Sequence, residues 1–397
     1  MVSRTVLLLL LMSLLGVFPL DVILPSFPAL ATTFSVDISS IALSISLFAL
    51  GVAVSQSLIG PLSDRMGRKP LLMAGLIIAI AGALGCVLAI DYPMFIICRV
   101  LQALGCGCFV LSQALVQDIF TGAQRNRMRI LLTSASGVLI SLSPLAGSLL
   151  QGRFGWTASF IAFIGLALGV LWLCSTLPSG VSEPPIAGGI FHGYRVLAKD
   201  RVFLAYSALS AMAFACHFSF IVTSPLLLMQ LLGLSEYEFS FVFIGYGAAY
   251  ITGGLVAGAV NTKVSPNTQV AIGLALIGCA GLLLWTWLML GGLSVAAILL
   301  PMALCTAGTT ITRPAATTCA LERHPERAGA AAALNNTLLF ATAGLASGLI
   351  ALAHTGLPID LALSFIAIGL CGAFMLKRLS RHQVQWTSGR KSTHPPP

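Results

Sequence analysis

Twelve long apolar stretches, separated by short polar connections, limit what this chain can fold into more than any other feature of its sequence. A helix needs about 20 predominantly apolar residues to cross a bilayer. A backbone in lipid must satisfy its hydrogen bonds internally, so we expect an all-α integral membrane protein with twelve transmembrane helices. The predicted spans are 5–25, 38–62, 70–90, 93–118, 128–150, 155–177, 202–230, 237–260, 267–289, 294–320, 328–352 and 358–379.

Composition excludes a water-soluble protein and, with it, a nucleic-acid partner for the net charge of +9. Hydrophobic residues fill 57% of the 397 positions and charged residues only 8%, whereas soluble domains carry about 25% charged residues. The sequence has no GxxxxGK[ST] phosphate loop, no histidine cluster and no plausible nucleophile triad. Neither an enzyme nor ATP-driven transport is indicated. The ten cysteines lie in apolar stretches without a CxxC pair, so we expect buried thiols, no metal and no cofactor.

The connection at 178–200 is rich in proline and glycine and is the longest between spans, so it divides them into two groups of six. The basic loop Gly60–Pro70 recurs in weaker form at Gly258–Thr268, where Lys263 replaces Arg65. Secondary transporters built from repeated halves bind substrate between the halves near the middle of the membrane. We predict two pseudo-symmetric six-helix bundles (1–177 and 201–379), a cytoplasmic linker (178–200) and a disordered cytoplasmic tail (380–397).

Basic residues are distributed unevenly about the predicted spans. With the N-terminus on the cytoplasmic side, eighteen of the 21 lysines and arginines are cytoplasmic. Arg153 alone falls on the opposite side, and Arg99 and Arg313 fall within spans. Because cytoplasmic loops of membrane proteins carry an excess of basic residues, we expect both termini and the linker to be cytoplasmic.

The connection between the second and third spans carries the most specific motif, Gly60-Pro-Leu-Ser-Asp-Arg-Met-Gly-Arg-Lys69. It resembles the G-x-L-x-D-R-x-G-R-[KR] signature of the major facilitator superfamily. The resemblance implies a loop that locks one conformation, with its aspartate near the positive N-terminal end of the eleventh helix, which would begin near Ala328. A merely solvated charged turn is the alternative. The predicted lock residues are Gly60, Asp64, Arg65, Gly67, Arg68 and Asp118.

Two more segments are similar to motifs of that superfamily. Arg99–Gly107 in the fourth span resembles R-x-x-Q-G-x-G, with Ala103 in place of the first glycine. The fifth span resembles the glycine-rich, proline-kinked antiporter motif, although Ser143 stands where a glycine is expected. The predicted kink residues are Gly137, Pro144 and Gly147.

Finer similarity points to the Bcr/CflA-type exporters of bicyclomycin and chloramphenicol, through Asp21–Pro25, Ser224–Pro225 and Ala320–Gly329. This resemblance implies a monomeric drug:proton antiporter of the bacterial inner membrane that exports small amphiphilic compounds. Its partners would be protons, a small-molecule substrate and membrane lipid. Export of an endogenous siderophore or similar carboxylate, import by proton symport, and a non-transporting sensor remain open as alternatives.

Charged residues inside a membrane are costly and usually functional. Asp21 and Arg99 have similar predicted depths, and the first and fourth spans line the cavity in the family. We therefore expect a pair that exchanges its bond for a proton on Asp21, or one that only fixes helix packing. Arg313 favours a neutral or anionic substrate unless its side chain reaches the cytoplasmic face. His217 either titrates or is structural. The predicted cavity residues are Gln102, Gln113, His217, Tyr246, Arg313 and Asn335.

Overall fold

The computed structural model describes residues 2–120, 122–176, 192–261, 263–324, 327–352 and 356–391, and every regular element in them is helical. Twelve helical segments of this described part are long and apolar enough to cross a bilayer, which confirms the predicted fold class. Numbered 1 to 12, the spans are Arg4–Phe34, Ile38–Ser63, Arg68–Val87, Tyr92–Val110, Ala135–Phe154, Thr157–Thr176, Arg201–Leu231, Glu236–Ala259, Pro266–Gly291, Val295–Leu321, Gly329–Ala351 and Leu357–Leu379.

Several helices extend beyond these span limits. A short helix, His192–Leu197, precedes span 7, while residues 177–191 of the predicted linker lie outside the described part. Span 7 itself changes from α-helix at Pro225 to a π-helical segment, Leu226–Leu231. The remaining extensions are Ile38–Met66 for span 2, Leu111–Ile119 after the turn Gly107–Val110 of span 4, Gly122–Phe154 for span 5, Glu236–Asn261 for span 8, Ala328–Ala351 for span 11 and Leu357–Lys391 for span 12.

The C-terminal tail differs from the expectation of disorder. The helix of span 12 continues to Lys391, and residues 392–397 lie outside the described part. Adding a residue to an existing helix costs far less than nucleating a new one. The polar residues after Leu379 therefore extend the helix that the apolar span begins.

Span 1 is broken rather than continuous. Its first helix, Val2–Asp21, ends well before the span does, and the helix Phe27–Phe34 follows a 3-10 turn, Leu24–Ser26. Proline has no N–H group and its ring crowds the carbonyl four residues earlier. Pro25 therefore cannot donate to the carbonyl of Asp21. The span was predicted to end at residue 25, so Asp21 lies thirteen residues from the end of the span rather than four.

The two membrane faces differ in charge. The loop after span 2, with Arg65, Arg68 and Lys69, and the loop after span 10, with Arg323, lie at one end of the helices, which we call the basic face. The opposite end is called the far face. The even number of spans in the described part places the helices that contain Arg4 and Lys377 at the basic face as well.

Two pairs of spans hold the first six helices against the last six. Spans 2 and 11 lie together from the Ser46–Ser347 hydrogen bond, 2.8 Å between hydroxyl oxygens, to Gly60, which faces Ala333. Glycine and other small residues let helix backbones approach closely in membranes. We call this contact the 2–11 seam.

Spans 5 and 8 form the second contact, the 5–8 seam. Near the far face, the Ser240 hydroxyl donates to the Pro144 carbonyl over 3.0 Å. Toward the basic face, Gly137 lies against the side chains of Tyr250 and Ile251. Each seam therefore extends over much of the membrane thickness, and together they flank the region between the two halves.

Candidate functional site

Asp21 is buried at the break in span 1. Only 2% of its surface is exposed, and no ion pair joins it to another described residue. The backbone that follows it packs tightly against span 5, because Gly147 contacts the Val22 carbonyl oxygen and the Pro25 ring. The turn Leu24–Ser26 also lies against spans 7 and 8. Asp21 thus ends a helix of the first half where that half meets the second.

Arg99 is 1% exposed and makes its contacts within the first six spans. Its Nη1 donates to the Gln102 side-chain oxygen over 2.7 Å, and its Nη2 donates to the Pro19 carbonyl over 3.2 Å. The guanidinium carbon lies 4.5 Å from the ring centroid of Phe48 and 5.6 Å from that of Phe160. The Nε atom is buried without a hydrogen-bond partner.

These contacts correct the expected Asp21–Arg99 ion pair, which the structure does not contain. The break at Pro25 frees backbone carbonyls at the end of the first helix, and Arg99 donates to one of them. A cation at a helix C-terminus also interacts favourably with the helix dipole. Arg99 therefore contacts the helix that carries Asp21 through its backbone rather than through the carboxylate.

His217 and Tyr246 come together between spans 7 and 8. The His217 Nδ1 atom and the Tyr246 hydroxyl form a short hydrogen bond, and the two rings stack with centroids 5.5 Å apart. Tyr250, one turn along span 8, has its ring centroid 5.4 Å from that of His217. Both members of the hydrogen-bonded pair are buried, so the predicted cavity residues His217 and Tyr246 are fixed by each other.

The other predicted cavity residues are dispersed. Arg313 is half-buried, with its guanidinium carbon 5.2 Å from the centroid of the Phe214 ring. Asn335 is buried, and its side-chain oxygen has no hydrogen-bond partner. Gln102 belongs to the Arg99 cluster instead. The side chain of Gln113 lies outside the described part of the chain.

The signature loop forms a tight turn at the basic face. Gly67 has φ of +86°, a conformation that side chains with a Cβ atom rarely adopt. The Arg68 guanidinium hydrogen-bonds to the hydroxyl of Ser63. Arg65 is exposed. The side chains of the other two predicted lock residues, Asp64 and Asp118, lie outside the described part.

The three predicted kink residues of span 5 all lie at contacts that involve another span. Gly137 meets span 8, the Pro144 carbonyl accepts from Ser240 of span 8, and Gly147 meets the break in span 1. Proline inside the helix removes one backbone hydrogen bond. Span 5 therefore brings the break that carries Asp21 and the second half of the molecule to the same helix.

Besides the signature loop, the basic face carries a second polar cluster, which the sequence did not predict. Asp200 caps span 7 by accepting from the Val202 and Phe203 amides, and it pairs with Arg323 Nε at 2.7 Å and His324 Nε2 at 2.9 Å. Burial alone raises the pKa of the Asp200 carboxyl, but the hydrogen bonds, led by that from Arg323, hold this pKa below its ordinary value. An aspartate directly before an apolar helix is a capping signal visible in the sequence. The contribution of the loop after span 10 was not visible in the sequence.

The arrangement can be compared with known proteins. The sequence profile described as Major Facilitator Superfamily matches residues 9–348. Multidrug resistance protein D of Escherichia coli is 30% identical over 398 residues, covering 96% of this chain and 99% of that protein. YdgK of Bacillus subtilis, described as an uncharacterized MFS-type transporter, is 30% identical over 355 residues, 87% of each chain. The fold is similar to the xylose transporter XylE from E. coli in a partially occluded inward open conformation (TM-score 0.75, 16% identity, 95% and 97% coverage). The chain belongs to the Major Facilitator Superfamily.

Proposed function

We propose that this protein is a proton-coupled transporter that exports small amphiphilic compounds across the bacterial inner membrane by alternating access. Both termini and the linker are cytoplasmic in this proposal, so the basic face is the cytoplasmic face. The uneven distribution of lysine and arginine supports that orientation. The sequence similarity to Multidrug resistance protein D supports drugs or drug-like metabolites as the transported substrates.

The observation that carries the proposal is the burial of Asp21 without an ion pair. A carboxylate in that environment is costly when charged, and protonation relieves the cost. Its position at the end of a broken helix, packed against the kinked span 5, ties the backbone around Asp21 to the packing of that span. Protonation and release at Asp21 would then bias the packing of the two halves, which is the coupling that antiport requires.

The two seams support alternating access. Both contain serine hydroxyls and glycines. A neutral hydrogen bond contributes only about 0.5–1.5 kcal/mol net, so a few hydroxyl contacts of this kind can be broken and remade at low cost. The tight turn at Gly67 lies at the basic-face end of the 2–11 seam, where the superfamily signature would stabilise one of the two packings.

Inverted membrane vesicles test the function directly. Vesicles that contain the protein and are acidified inside should accumulate chloramphenicol, and a protonophore should release it. Vesicles without the protein measure passive uptake. An importer that uses proton symport would move the drug out of such vesicles, and a non-transporting sensor would leave it at the passive level, so either result would overturn the proposal.

A further inference from the structure

Arg313 points toward the middle of the membrane rather than toward the basic face. The Ser210 hydroxyl lies 3.4 Å from the Arg313 carbonyl oxygen and 2.9 Å from the Thr317 hydroxyl, so Ser210 lies between these two residues of span 10. The guanidinium, however, lies over the ring of Phe214, four residues farther along span 7. Phe214 is thirteen residues from Arg201 at the basic-face start of span 7, roughly 20 Å along the helix at about 1.5 Å per residue. At that depth the guanidinium lies inside the helix bundle and not at the basic face.

No protein carboxylate neutralises this cation in the described part of the chain, where Arg313 forms no ion pair. The sequences of spans 7, 9, 10 and 11 contain neither aspartate nor glutamate, and span 8 has only Glu236 and Glu238 at its far-face end. Buried charges in membrane proteins are usually paired. A ligand that brings its own negative charge would supply the missing partner.

The guanidinium of Arg313 lies against a group of aromatic side chains, Phe214, Phe340 and His217, which we call the aromatic wall. The Phe214 ring makes a T-shaped contact with Phe340 of span 11 at 5.5 Å and lies 6.2 Å from the ring of His217. Arg313, Phe214, Phe340 and Tyr250 are each partly exposed. Span 7 is the most deeply buried of the spans, and every residue from Ala215 to Leu228 is buried. Phe214 lies at the edge of this buried stretch, where it meets Arg313 of span 10 and Phe340 of span 11.

We propose that this wall binds the aromatic carboxylate class of substrate. The planar guanidinium offers two parallel N–H groups to a carboxylate, and this bidentate geometry is the reason that arginine outperforms lysine at such sites. An aromatic ring attached to the carboxylate packs against Phe214 and Phe340, since aromatic pairs favour offset and edge-to-face contacts. This inference rests on the proposed function and names the substrate class that the transporter prefers.

Three ligands with one ring system separate charge from hydrophobicity: 2-naphthoate, 2-naphthamide and 2-naphthylmethylammonium. Binding to the purified full-length protein is measured by equilibrium dialysis, without any proton gradient. The wild-type protein should bind the carboxylate at least about tenfold more tightly than the amide, because a hydrogen bond to a charged group contributes roughly 1.5 kcal/mol or more. The ammonium should bind most weakly.

Arg313→Gln should remove the preference for the carboxylate over the amide and leave amide binding within about twofold, since one charge-assisted bond is lost and the wall is kept. Arg313→Lys should recover only part of the preference. Arg378→Gln is the matched control, because Arg378 also lies over a phenylalanine, Phe374, at 4.5 Å, but both residues are exposed. Its ligand preference should equal that of the wild type.

A wild-type protein that binds the three ligands equally, or that prefers the ammonium, overturns the inference without any variant. So does an Arg313→Gln protein that keeps the carboxylate preference. Because the assay measures binding at equilibrium, its failure leaves proton-driven export of chloramphenicol untouched. Failure of export with intact carboxylate selectivity would instead contradict the proposed function alone.

Discussion

Arg99 carries a charge inside the first six spans and contacts an amide, a backbone carbonyl and two aromatic faces instead of an acid. Two of its nitrogen atoms donate in different directions at once, to Gln102 and to Pro19. A lysine has the same charge but a single ammonium on a flexible stem, so it cannot reproduce both contacts in this geometry. Arg99 therefore contacts the end of the helix that carries Asp21 in a geometry that suits arginine and not lysine.

Arg99→Lys should lower the free energy of unfolding by roughly 1.5–3 kcal/mol, because at least one charge-assisted hydrogen bond is lost in a buried site. Thermal unfolding of the purified protein in detergent, followed by tryptophan fluorescence, measures this loss. Arg153→Lys, at an exposed position near the far face, is the control and should unfold like the wild type. Equal stability of Arg99→Lys and the wild type would show that charge alone is required at this site.

The residues of this cluster also show what sequence could and could not predict. The burial of Arg99 followed from its place in an apolar span, which is a local property. The contact of Arg99 with the Pro19 carbonyl could not be predicted, because Pro25 was interpreted as the end of span 1. Proline also breaks helices within spans. The pairing of His217 with Tyr246 depends on the register of two helices packed side by side, and no local pattern determines that register.

At the scale of helices, span 5 makes its most important contact where it has no side chain. A Cβ atom at Gly147 would collide with the Val22 carbonyl oxygen and the Pro25 ring. Both collision partners belong to the broken segment of span 1, which cannot move away without disturbing Asp21. Position 147 therefore requires glycine, because the backbone of span 1 approaches span 5 too closely for any side chain.

Gly147→Ala should destabilise the protein by about 1–3 kcal/mol, the usual cost of overpacking, and should slow transport. Gly165→Ala in span 6 is the control, since nothing lies within 4 Å of the added carbon. That control should be neutral or more stable by up to about 1 kcal/mol, because alanine is the better helix former. Unfolding midpoints in detergent compare the two. A Gly147→Ala protein as stable as Gly165→Ala would refute the close contact.

The start of span 7 depends on Asp200, which both caps the helix and pairs with the loop after span 10. Asp200→Asn should keep the cap and lose the ion pair with Arg323, whereas Asp200→Ala should lose both, with the cap worth about 1 kcal/mol. The order of stability at pH 7 should be wild type, asparagine, alanine. Glu322→Gln, an exposed neighbour of that loop, should match the wild type.

The stability that Asp200 gains from its charge should depend on pH. Because folding lowers its pKa below the ordinary value of 3.8, the contribution is complete above that pH and is lost as the pH falls through the lowered value. The difference in unfolding midpoint between the wild type and Asp200→Asn should therefore shrink from pH 7 to pH 3. A difference that stays constant over this range would contradict the ion pair between Asp200 and Arg323.

For the whole molecule, the twelve spans were predictable because the length and apolarity of each segment are encoded locally. The broken first span and the helical extension after span 12 were not, since both depend on what a helix does beyond its apolar core. The two seams also needed the structure. Their serines and glycines are small residues that any span of such a protein contains.

Rigid motion of one half against the other requires the 2–11 seam to open. With the native cysteines replaced, the pair Ser46→Cys and Ser347→Cys should form a disulfide across the seam and stop transport, and a reductant should restore it. Ser13→Cys with Ser136→Cys is the control, because these hydroxyls lie 2.7 Å apart on spans 1 and 5 of the same half. Transport that continues at the uncrosslinked rate with the seam closed by a disulfide would exclude this motion.

Coupling through Asp21 is the central claim, and one measurement in proteoliposomes tests it most directly. Asp21→Asn keeps the size of the side chain and removes the titrating group. We expect this variant to exchange labelled chloramphenicol across the membrane without a gradient, yet fail to concentrate it when only a proton gradient is supplied. Asp37→Asn, an exposed acid before span 2, should concentrate the drug like the wild type. Accumulation by Asp21→Asn to the wild-type ratio would contradict the account.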